Sequence, residues 1–378
     1  MRVLELFSGI GGMHYALRAL LNSNKSDIKA EITAVENNQN ANEVYSFNFG
    51  IEPICKNVES LPRSYFDASK FDLLLMSPPC QPFTRLGAGK SEGDMRCEAF
   101  LFIIECLELS ENPINLILLE NVQGFEKSTP RNALIELLLK KGFDLQEFIL
   151  TPFQFGIPNS RPRYYLIAKM ASELSRNGVI HQLQNGPIQE FGDTVKTSVY
   201  ENEDESKLLH QWEEQYHQCH SACDYYHPKV KAIRNFLKVL PAESYEADIC
   251  ENVGEKSHPF PIDFENLENY KINNDDLISK FHICEIFSFE SSCFTKGYPK
   301  CLGKSGSILR IKKSEENDDF MHRYFTEYEI SSLLGFPIDF KFPDKINLKQ
   351  RYAMLGNSLC VPVVTHLLDL LIDLNKFL

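Results

Sequence analysis

The stretch Val3-Leu4-Glu5-Leu6-Phe7-Ser8-Gly9-Ile10-Gly11-Gly12 lies at the start of the chain and decides its fold. The run Val3–Phe7 predicts a buried strand, and Met13–Leu21, which follows the glycines, predicts a helix. Glycines at such a strand-to-helix turn permit a tight bend and let a ligand approach the amides at the helix terminus. Many turns need glycine only for packing, so the turn alone is weak support for a ligand site.

The alternation of strand and helix continues through the first half of the chain. The predicted strands are Val3–Phe7, Ile32–Glu36, Phe71–Met76, Leu116–Glu120, Phe148–Thr151 and Tyr164–Ala168. The predicted helices are Met13–Leu21, Asn40–Phe47, Ala99–Leu109 and Arg131–Lys141. This alternation predicts an α/β fold: a doubly wound, mostly parallel sheet with helices on both faces. Ligands of such sheets bind at the carboxyl ends of the strands, so the functional residues should lie there.

Composition and charge restrict the classes of function. The 378 residues are 43% apolar and 24% charged, as in a globular protein with a core, and no run reaches the ~18 apolar residues of a membrane span. No signal peptide precedes the first strand, and the 11 cysteines lack paired spacing, so we expect reduced thiols in the cytoplasm or the nucleus. The net charge of −13 argues against indiscriminate binding of nucleic acid.

A local basic strip departs from this acidic average. It comprises Lys296, Lys300, Lys304, Arg310, Lys312 and Lys313, with no acidic residue among them. The strip suits a partner that is anionic at one place, and a solvated lysine-rich loop is an equally good interpretation.

Regular patterning weakens in the middle of the chain, where residues 171–320 hold 26 acidic and 16 basic groups. We expect three segments: a catalytic sheet domain over 1–175, a smaller inserted domain over 176–320, and a return segment over 321–378. The return segment should contain a helix through Leu334 and a final helix from Val361 to Leu374. The inserted domain contains His210, His217, Cys219, His220, Cys223 and His227, whose irregular spacing favours an ordinary surface helix over a zinc site.

Two carboxylates end predicted strands. Glu36 closes the second strand, the usual position for a carboxylate that binds ribose hydroxyls, and with the glycine turn it favours an adenosine-containing cofactor. The turn lacks a Walker lysine, which argues against hydrolysis of nucleoside triphosphates. Glu120 closes the fourth strand, where burial beside a ring would raise its pKa and let it donate a proton; a helix cap or salt-bridge partner is the alternative.

A cysteine and an arginine pair complete the set. Ser77-Pro78-Pro79-Cys80 directly follows the third strand, and the two prolines would hold the thiol rigidly at the ligand-binding edge, where a thiolate can attack an electrophilic carbon. Arg161 and Arg163 are two residues apart, so on an extended segment they point to one face. They suit a phosphate or a carbonyl oxygen, or they brace Glu120.

The order of these motifs resembles the cytosine carbon-5 methyltransferases. The matching segments are FSGIGG at 7–12, PPCQPF at 78–83, ENV at 120–122, the arginine pair after GIPNS, and Leu355-Gly356-Asn357-Ser358-Leu359. The resemblance implies a Rossmann-like fold and S-adenosylmethionine as the methyl donor, with S-adenosylhomocysteine as the product. The cofactor residues that it implies are Phe7, Ser8, Gly9, Ile10, Gly11, Gly12, Glu36, Asn57, Val58, Ser77, Pro78, Asn357 and Ser358.

The chemistry that the resemblance implies accounts for the residue types. The Cys80 thiolate would add to carbon 6 of cytosine, so that carbon 5 becomes able to attack the methyl group. Glu120 would hydrogen-bond the ring nitrogen 3 and the exocyclic amine. Arg163, together with Arg161, would hold the carbonyl oxygen of the ring or order the catalytic loop. A base would then remove the carbon-5 proton, and Cys80 would leave.

The segment from Ser291 to Tyr298 indicates the substrate. Its Cys293-Phe294-Thr295 run resembles the branch of the family that methylates a cytosine in the anticodon loop of aspartate tRNA, and we expect a monomeric enzyme whose partner is tRNA, with DNA as the alternative substrate. A binding protein without catalysis is a second alternative. The expected substrate contacts are Cys293, Phe294, Thr295, Lys296, Lys300 and Lys304. Asn57 stands where many relatives have an aspartate that receives the adenine amine, and Asn159 replaces a glutamine that is common before the arginine pair.

Overall fold

A computed structural model of the chain describes residues 1–23, 28–79, 98–171, 233, 282–285, 288–299, 305–312 and 320–372. Six strands form the main sheet: β1 Arg2–Leu6, β2 Glu31–Val35, β3 Leu73–Met76, β4 Leu116–Val122, β5 Phe143–Leu150 and β6 Arg163–Met170. The strand order is β2-β1-β3-β4-β6-β5, and only β6 among these six runs opposite to the others. The predicted mostly parallel sheet is confirmed.

Helices cover both faces of this sheet. The first four are α1 Gly12–Ser23, α2 Gln39–Phe49, α3 Glu98–Leu109 and α4 Thr129–Lys140. Alternate residues of a strand point to opposite faces: Leu73 and Leu75 of β3 join a buried cluster with α1 and α2, whereas Leu74 and Met76 join a second cluster with α3 and α4. The fold is therefore doubly wound, as the sequence predicts.

The ends of the elements differ from the prediction by a few residues, and β5 differs most. It begins at Phe143 rather than Phe148, because its first half is a partly exposed edge strand without a continuous apolar run. After α4 the chain passes through Gly142 at φ 83°, the left-handed conformation that glycine adopts readily at helix ends.

The C-terminal segment returns to the sheet domain. It forms α5 Glu327–Leu333, α6 Leu348–Asn357 and α7 Val361–Leu371. The stretch Leu348–Leu371 is long and apolar enough to cross a membrane, with a mean hydropathy of 1.4, but 61% of its apolar window is buried inside the fold. Helix α7 packs on α1, where Thr365 Oγ1 donates to Ala16 O over 3.3 Å, so the C-terminal segment lies against the first helix of the sheet domain.

A second sheet has three strands in the described residues. They are β7 Ile283–Glu285, β8 Ile308–Lys312 and β9 Phe320–Tyr324, with β7 parallel and β9 antiparallel to β8. These short strands are not predicted by the sequence pattern. Most of the expected inserted domain, 176–320, lies outside the described residues, and so does the histidine and cysteine cluster between His210 and His227.

A buried polar chain lies behind the glycine turn. Glu5 of β1 is 1% exposed; its Oε1 accepts from the backbone N–H of His14 at 3.3 Å, and its Oε2 lies 2.8 Å from the hydroxyl of Tyr45. The Tyr45 hydroxyl is also 2.7 Å from His14 Nδ1. Burial raises the pKa of Glu5 to about 8 and lowers the pKa of His14 to about 4. The Tyr45 hydroxyl therefore connects the buried Glu5 carboxyl group to the His14 ring, which its lowered pKa keeps neutral near pH 7.

Candidate active site

The glycine turn adopts the strained geometry that its sequence predicts. Phe7 has φ 56°, Gly9 φ 53° and Gly11 φ 86°, and the Gly11 N–H donates to Ser8 O at 2.9 Å. A Cβ at Gly11 would lie 2.3 Å from the ring of Phe49 on α2, so this position excludes any side chain. The Ser8 hydroxyl is buried and has no hydrogen-bond partner within the described residues. A buried hydroxyl without a partner needs one, and this turn therefore provides an open position for a polar ligand group.

Glu36 lies directly beside the turn. Its Oε2 accepts from the Gly9 N–H at 3.0 Å, and its Oε1 accepts from the Asn38 N–H at 2.8 Å. A carboxylate oxygen has two lone pairs, so both oxygens remain able to accept from ribose hydroxyls. The Asn57 Oδ1 accepts from the Asn37 side chain at 2.9 Å, and Val58 follows as a buried residue. The turn, Glu36 and the segment at Asn57 thus line one edge of the sheet around β2.

Strands β3 and β4 are neighbours in the main sheet. Met76 pairs with Leu119, so Ser77 and Glu120 lie at the same carboxyl edge. Ser77 Oγ donates to Phe7 O at 3.3 Å, which ties this edge to the glycine turn. The Asn121 side chain donates to Pro78 O at 3.3 Å and holds the segment that leads towards the predicted nucleophile. Cys80 itself lies outside the described residues.

Glu120 is buried and paired with an arginine. Its Oε1 lies 3.4 Å from Nε of Arg163, and both side chains are largely enclosed. Burial raises the pKa of Glu120, and the guanidinium groups of Arg163 and Arg161 offset only part of this effect. A carboxyl group whose pKa is raised can serve as a proton donor in the site.

Arg161 differs from Arg163 in the groups that its guanidinium contacts. It is 2% exposed, and its Nη1 donates to Phe294 O at 2.8 Å, while its Nη2 donates to Gly356 O at 3.0 Å and to Ser358 O. Of the two roles expected for Arg161, the contacts agree with ordering of the surrounding segments, since its fork is occupied by backbone carbonyls. Arg161 joins the start of β6 to the segment at Phe294 and to the loop between α6 and α7.

The segment 291–298 lies against this arginine pair. Cys293 Sγ is 3.4 Å from Arg161 Nη1, and Ser291 Oγ donates to Pro158 O at 2.6 Å. Phe294 is 1% exposed and packs edge-on against Tyr298 and Phe325, the geometry of a core residue rather than of a ring that stacks on substrate. Its expected substrate contact is therefore not supported through the side chain.

Two further expected substrate residues are described and two are not. Thr295 is partly exposed, with its N–H donating to Ser305 O at 2.9 Å, and Lys296 is exposed. Lys300 and Lys304 lie outside the described residues. Asn159, also singled out in the sequence, is fully buried, and neither end of its amide has a partner among the described residues.

The loop between α6 and α7 closes the site from the other side. A Cβ on Gly12 would lie 3.0 Å from Leu359 and 3.4 Å from Ser358 Oγ, so the expected cofactor residues of the turn and of this loop are in contact range. Asn357 is exposed at the end of α6. A Cβ on Gly356 would lie 2.2 Å from the backbone of Thr295 and Lys296. Gly356 was predicted only as part of the motif at 355–359, although a glycine inside a helix is itself a signal of close backbone approach.

The glycine turn, the ends of β3 and β4, the start of β6 and the C-terminal loop therefore meet at one edge of the sheet. The C-5 cytosine-specific DNA methylase family matches residues 1–373. The tRNA (cytosine(38)-C(5))-methyltransferase of Homo sapiens is 35% identical, with 99% of each chain covered. A DNA (cytosine-5)-methyltransferase of Dictyostelium discoideum is 34% identical over 100% of this chain and 95% of that protein. The crystal structure of the S. pombe Dnmt2 methyltransferase has a TM-score of 0.67 at 31% identity, covering 99% of this chain and 98% of that one. The chain belongs to the C-5 cytosine-specific methylase family.

Proposed function

We propose that this protein transfers a methyl group from S-adenosylmethionine to carbon 5 of a cytosine in tRNA. The observation that carries the proposal is the meeting of Glu120 and Arg163 with the end of β3, which leads into the Pro-Pro-Cys segment. Full-length relatives named tRNA (cytosine(38)-C(5))-methyltransferase favour position 38 of a tRNA over DNA as the target. The DNA enzyme of Dictyostelium at similar identity makes DNA the alternative that has to be tested.

The residues at the glycine turn fit S-adenosylmethionine. The Ser8 hydroxyl lacks a partner in the described structure, and the Glu36 carboxylate keeps free lone pairs. We assign the ribose to Glu36 and the adenine side to Asn57 and Val58, with Phe7–Gly12, Ser77, Pro78, Asn357 and Ser358 around the remainder. When bound there, the cofactor supplies an electrophilic methyl group on a sulfonium sulfur.

The chain's own residues then prepare the cytosine. Cys80 would add its thiolate to carbon 6, forming an S–C6 bond and making carbon 5 nucleophilic. Glu120 would donate its proton to ring nitrogen 3 and accept from the exocyclic amine, so that negative charge does not build on the ring. Arg163 is close enough to Glu120 to orient it, whereas Arg161 would order the loop. Carbon 5 would then accept the methyl group, and nitrogen 3 would return its proton to Glu120. Loss of the carbon-5 proton to a base would break the S–C6 bond and release Cys80 as the thiolate.

An RNA loop is a suitable target for such a pocket. A base in a loop is unpaired or easily displaced, so moving it out of its stack costs less than opening a duplex. Lys296 is exposed beside Thr295, and with Lys300 and Lys304 it belongs to the basic strip that we propose to contact the phosphate backbone. The overall negative charge of the chain would confine that contact to this strip.

The substrate experiment compares matched nucleic acids at a single salt concentration. Tritiated S-adenosylmethionine would be incubated with the protein and aspartate tRNA, with the same tRNA carrying uridine in place of cytosine 38, or with duplex DNA. We expect label in the first RNA and a loss of at least about 100-fold in the other two. A clear preference for DNA would overturn the choice of substrate, and label in the uridine-38 tRNA would overturn the choice of position.

The nucleophile is tested by trapping. In RNA that contains 5-fluorocytosine, the fluorine cannot leave as the proton does, so the S–C6 bond should persist and the protein–RNA adduct should survive denaturation. We expect the adduct with wild type and with Cys293→Ser, and none with Cys80→Ala. An adduct in Cys80→Ala would assign the nucleophile to another residue, and the absence of any methyl transfer would favour a binding protein.

A further inference from the structure

Cys293 lies between two guanidinium groups. Its Sγ is 3.4 Å from Arg161 Nη1 and 3.9 Å from Arg163 Nη2, and Arg163 Nε is 3.4 Å from Glu120 Oε1. Two fixed positive charges thus face one buried carboxyl group and one sulfur. If Glu120 carries the proton that the reaction needs, the Cys293 sulfur is, among the residues that the structure describes, the group hydrogen-bonded to both arginines that can carry negative charge.

The other buried thiols in the described residues behave differently. Burial raises the pKa of Cys106 to about 11 and the pKa of Cys284 and Cys360 to about 12. Burial acts in the same sense at Cys293, but the guanidinium groups of Arg161 and Arg163 outweigh it, so its pKa is lowered. Cationic neighbours are the usual cause of an acidic cysteine.

The hydrogen bonds at Cys293 also favour the ionised sulfur. A thiol proton there would have the Phe294 carbonyl as its acceptor over 3.7 Å, an oxygen that it would share with Arg161 Nη1 at 2.8 Å. The ionised sulfur instead accepts from two N–H donors. Tyr165 and Cys360 also face the cluster, and burial raises the pKa of each, so both are neutral near pH 7.

We propose that Cys293 is a positioning residue whose thiolate acts as the counter-ion of Arg161 and Arg163 and thereby lets Glu120 hold its proton. The sulfur forms no bond to the substrate, and the nucleophile remains Cys80. The role of Glu120 rests on the proposed function, whereas the ionisation of Cys293 stands without it. A guanidinium group without another counter-ion would favour the ionised form of Glu120. The Cys293 thiolate neutralises that positive charge, so Glu120 can keep its proton.

The first test measures the ionisation directly and needs neither tRNA nor cofactor. The native protein would be alkylated with iodoacetamide between pH 5.5 and 9, and the rate at each cysteine read by peptide mass spectrometry. We expect half-maximal alkylation of Cys293 at least one pH unit below the ordinary thiol value of ~8.5. Because accessibility scales the rate but not the midpoint, partial enclosure of the sulfur does not affect the reading. A midpoint at or above ~8.5 would overturn the proposal.

A substitution tests whether the guanidinium group of Arg163 causes the ionisation of Cys293. Arg163→Gln should move the alkylation midpoint of Cys293 up by about one pH unit, while the profile of Cys55, an exposed cysteine beside Asn37, stays where it was. An unchanged Cys293 profile would show that the guanidinium does not set its charge. If the variant fails to fold, the wild-type midpoint still decides whether the thiolate exists.

The second test links the charge to Glu120. Cys293→Ser removes the charge, so the alkaline limb of the kcat/KM profile should move down by about one pH unit, a loss of about tenfold above it, with a small change in KM for tRNA. Cys293→Asp restores a negative charge and should return the limb towards wild type. Equal losses in both variants would mean that size rather than charge matters and would refute the role. Absence of methyl transfer in the wild type would instead count against the proposed function and leave the alkylation test decisive for the thiolate.

Discussion

Arg161→Lys separates positioning from chemistry within the arginine pair. The guanidinium fork of Arg161 reaches the carbonyls of Phe294, Gly356 and Ser358 from one buried position. A lysine keeps the charge but cannot span three carbonyls in different segments, so about two charge-assisted hydrogen bonds are lost. At roughly 1.5–3 kcal/mol each, the expected loss in the free energy of unfolding is about 3–6 kcal/mol.

The matched control is Arg163→Lys. Arg163 donates to Pro162 O at 2.8 Å and pairs with Glu120, and a lysine at this position keeps the charge beside the carboxyl group. We expect the thermal midpoint to fall by about 5 °C in Arg161→Lys and by less than ~2 °C in Arg163→Lys, given the entropy of unfolding of a chain of this size. Differential scanning fluorimetry at pH 7.5 measures both midpoints.

The effects on methyl transfer should be in the opposite order: Arg163→Lys, which loses less stability, should lose more activity. Arg163→Lys should remain folded but lower kcat by at least ~100-fold, because it removes the guanidinium contact that orients Glu120, the proposed proton donor. Activity of Arg161→Lys should recover in part at lower temperature or with added osmolyte, since the loop regains order. An Arg161→Lys midpoint within 1 °C of wild type would refute the assignment of Arg161 as the residue that joins these segments.

Three further predictions follow from single residues. Glu5→Gln should flatten the dependence of stability on pH. Burial raises the pKa of Glu5 to about 8, so the wild type loses stability as the pH rises from ~4.3 through 8, and the variant should not. Thermal melts in which the midpoint falls equally with pH in both proteins would contradict this. Gly356→Ala should lower the free energy of unfolding by several kcal/mol, because its Cβ would lie 2.2 Å from backbone atoms. Gly50→Ala, at φ 66° with open space around it, should lower it by only ~1–2 kcal/mol. Chemical denaturation measures both, and similar losses would argue against close approach at Gly356. Asn57→Asp should tighten binding of S-adenosylhomocysteine by about fivefold in calorimetry, since a charged acceptor binds an amine more strongly, and unchanged or weaker binding would remove Asn57 from the adenine site.

The sheet and the convergence of its motifs could be predicted because both depend on local patterns. Continuous apolar runs mark buried strands, and the rule that ligands bind at carboxyl ends placed Glu36 and Glu120 at one edge before any contact was known. The pairing of Met76 with Leu119 makes β3 and β4 neighbours, which the strand pattern alone leaves open.

Other features depend on contacts between distant segments, and the sequence pattern does not contain them. Arg161 is enclosed because residues more than 130 positions later fold over it, and the burial of Phe294 has the same cause. Helix α6 was missed because its apolar pattern is weak, although Asn347 and Gln350 form a capping box that marks its start. The strands β7 to β9 are too short for periodicity to distinguish from loops.

The direction of β6 explains why the arginine pair meets Glu120. In a parallel strand, residues that precede the strand lie at the opposite edge from the carboxyl ends of its neighbours, so Arg161 and Arg163 would be remote from β4. Because β6 is antiparallel to β4, with Val122 paired to Arg163 and Glu120 to Tyr165, its first residues lie where β4 ends. The hairpin from β5 to β6 thus brings two cations to the edge where the parallel strands end with carboxylates, and the segment at Cys293 completes the charge balance there. One reversed strand at the side of a parallel sheet therefore supplies what a purely parallel arrangement would not: positive charge beside a buried carboxyl group that has to keep a proton.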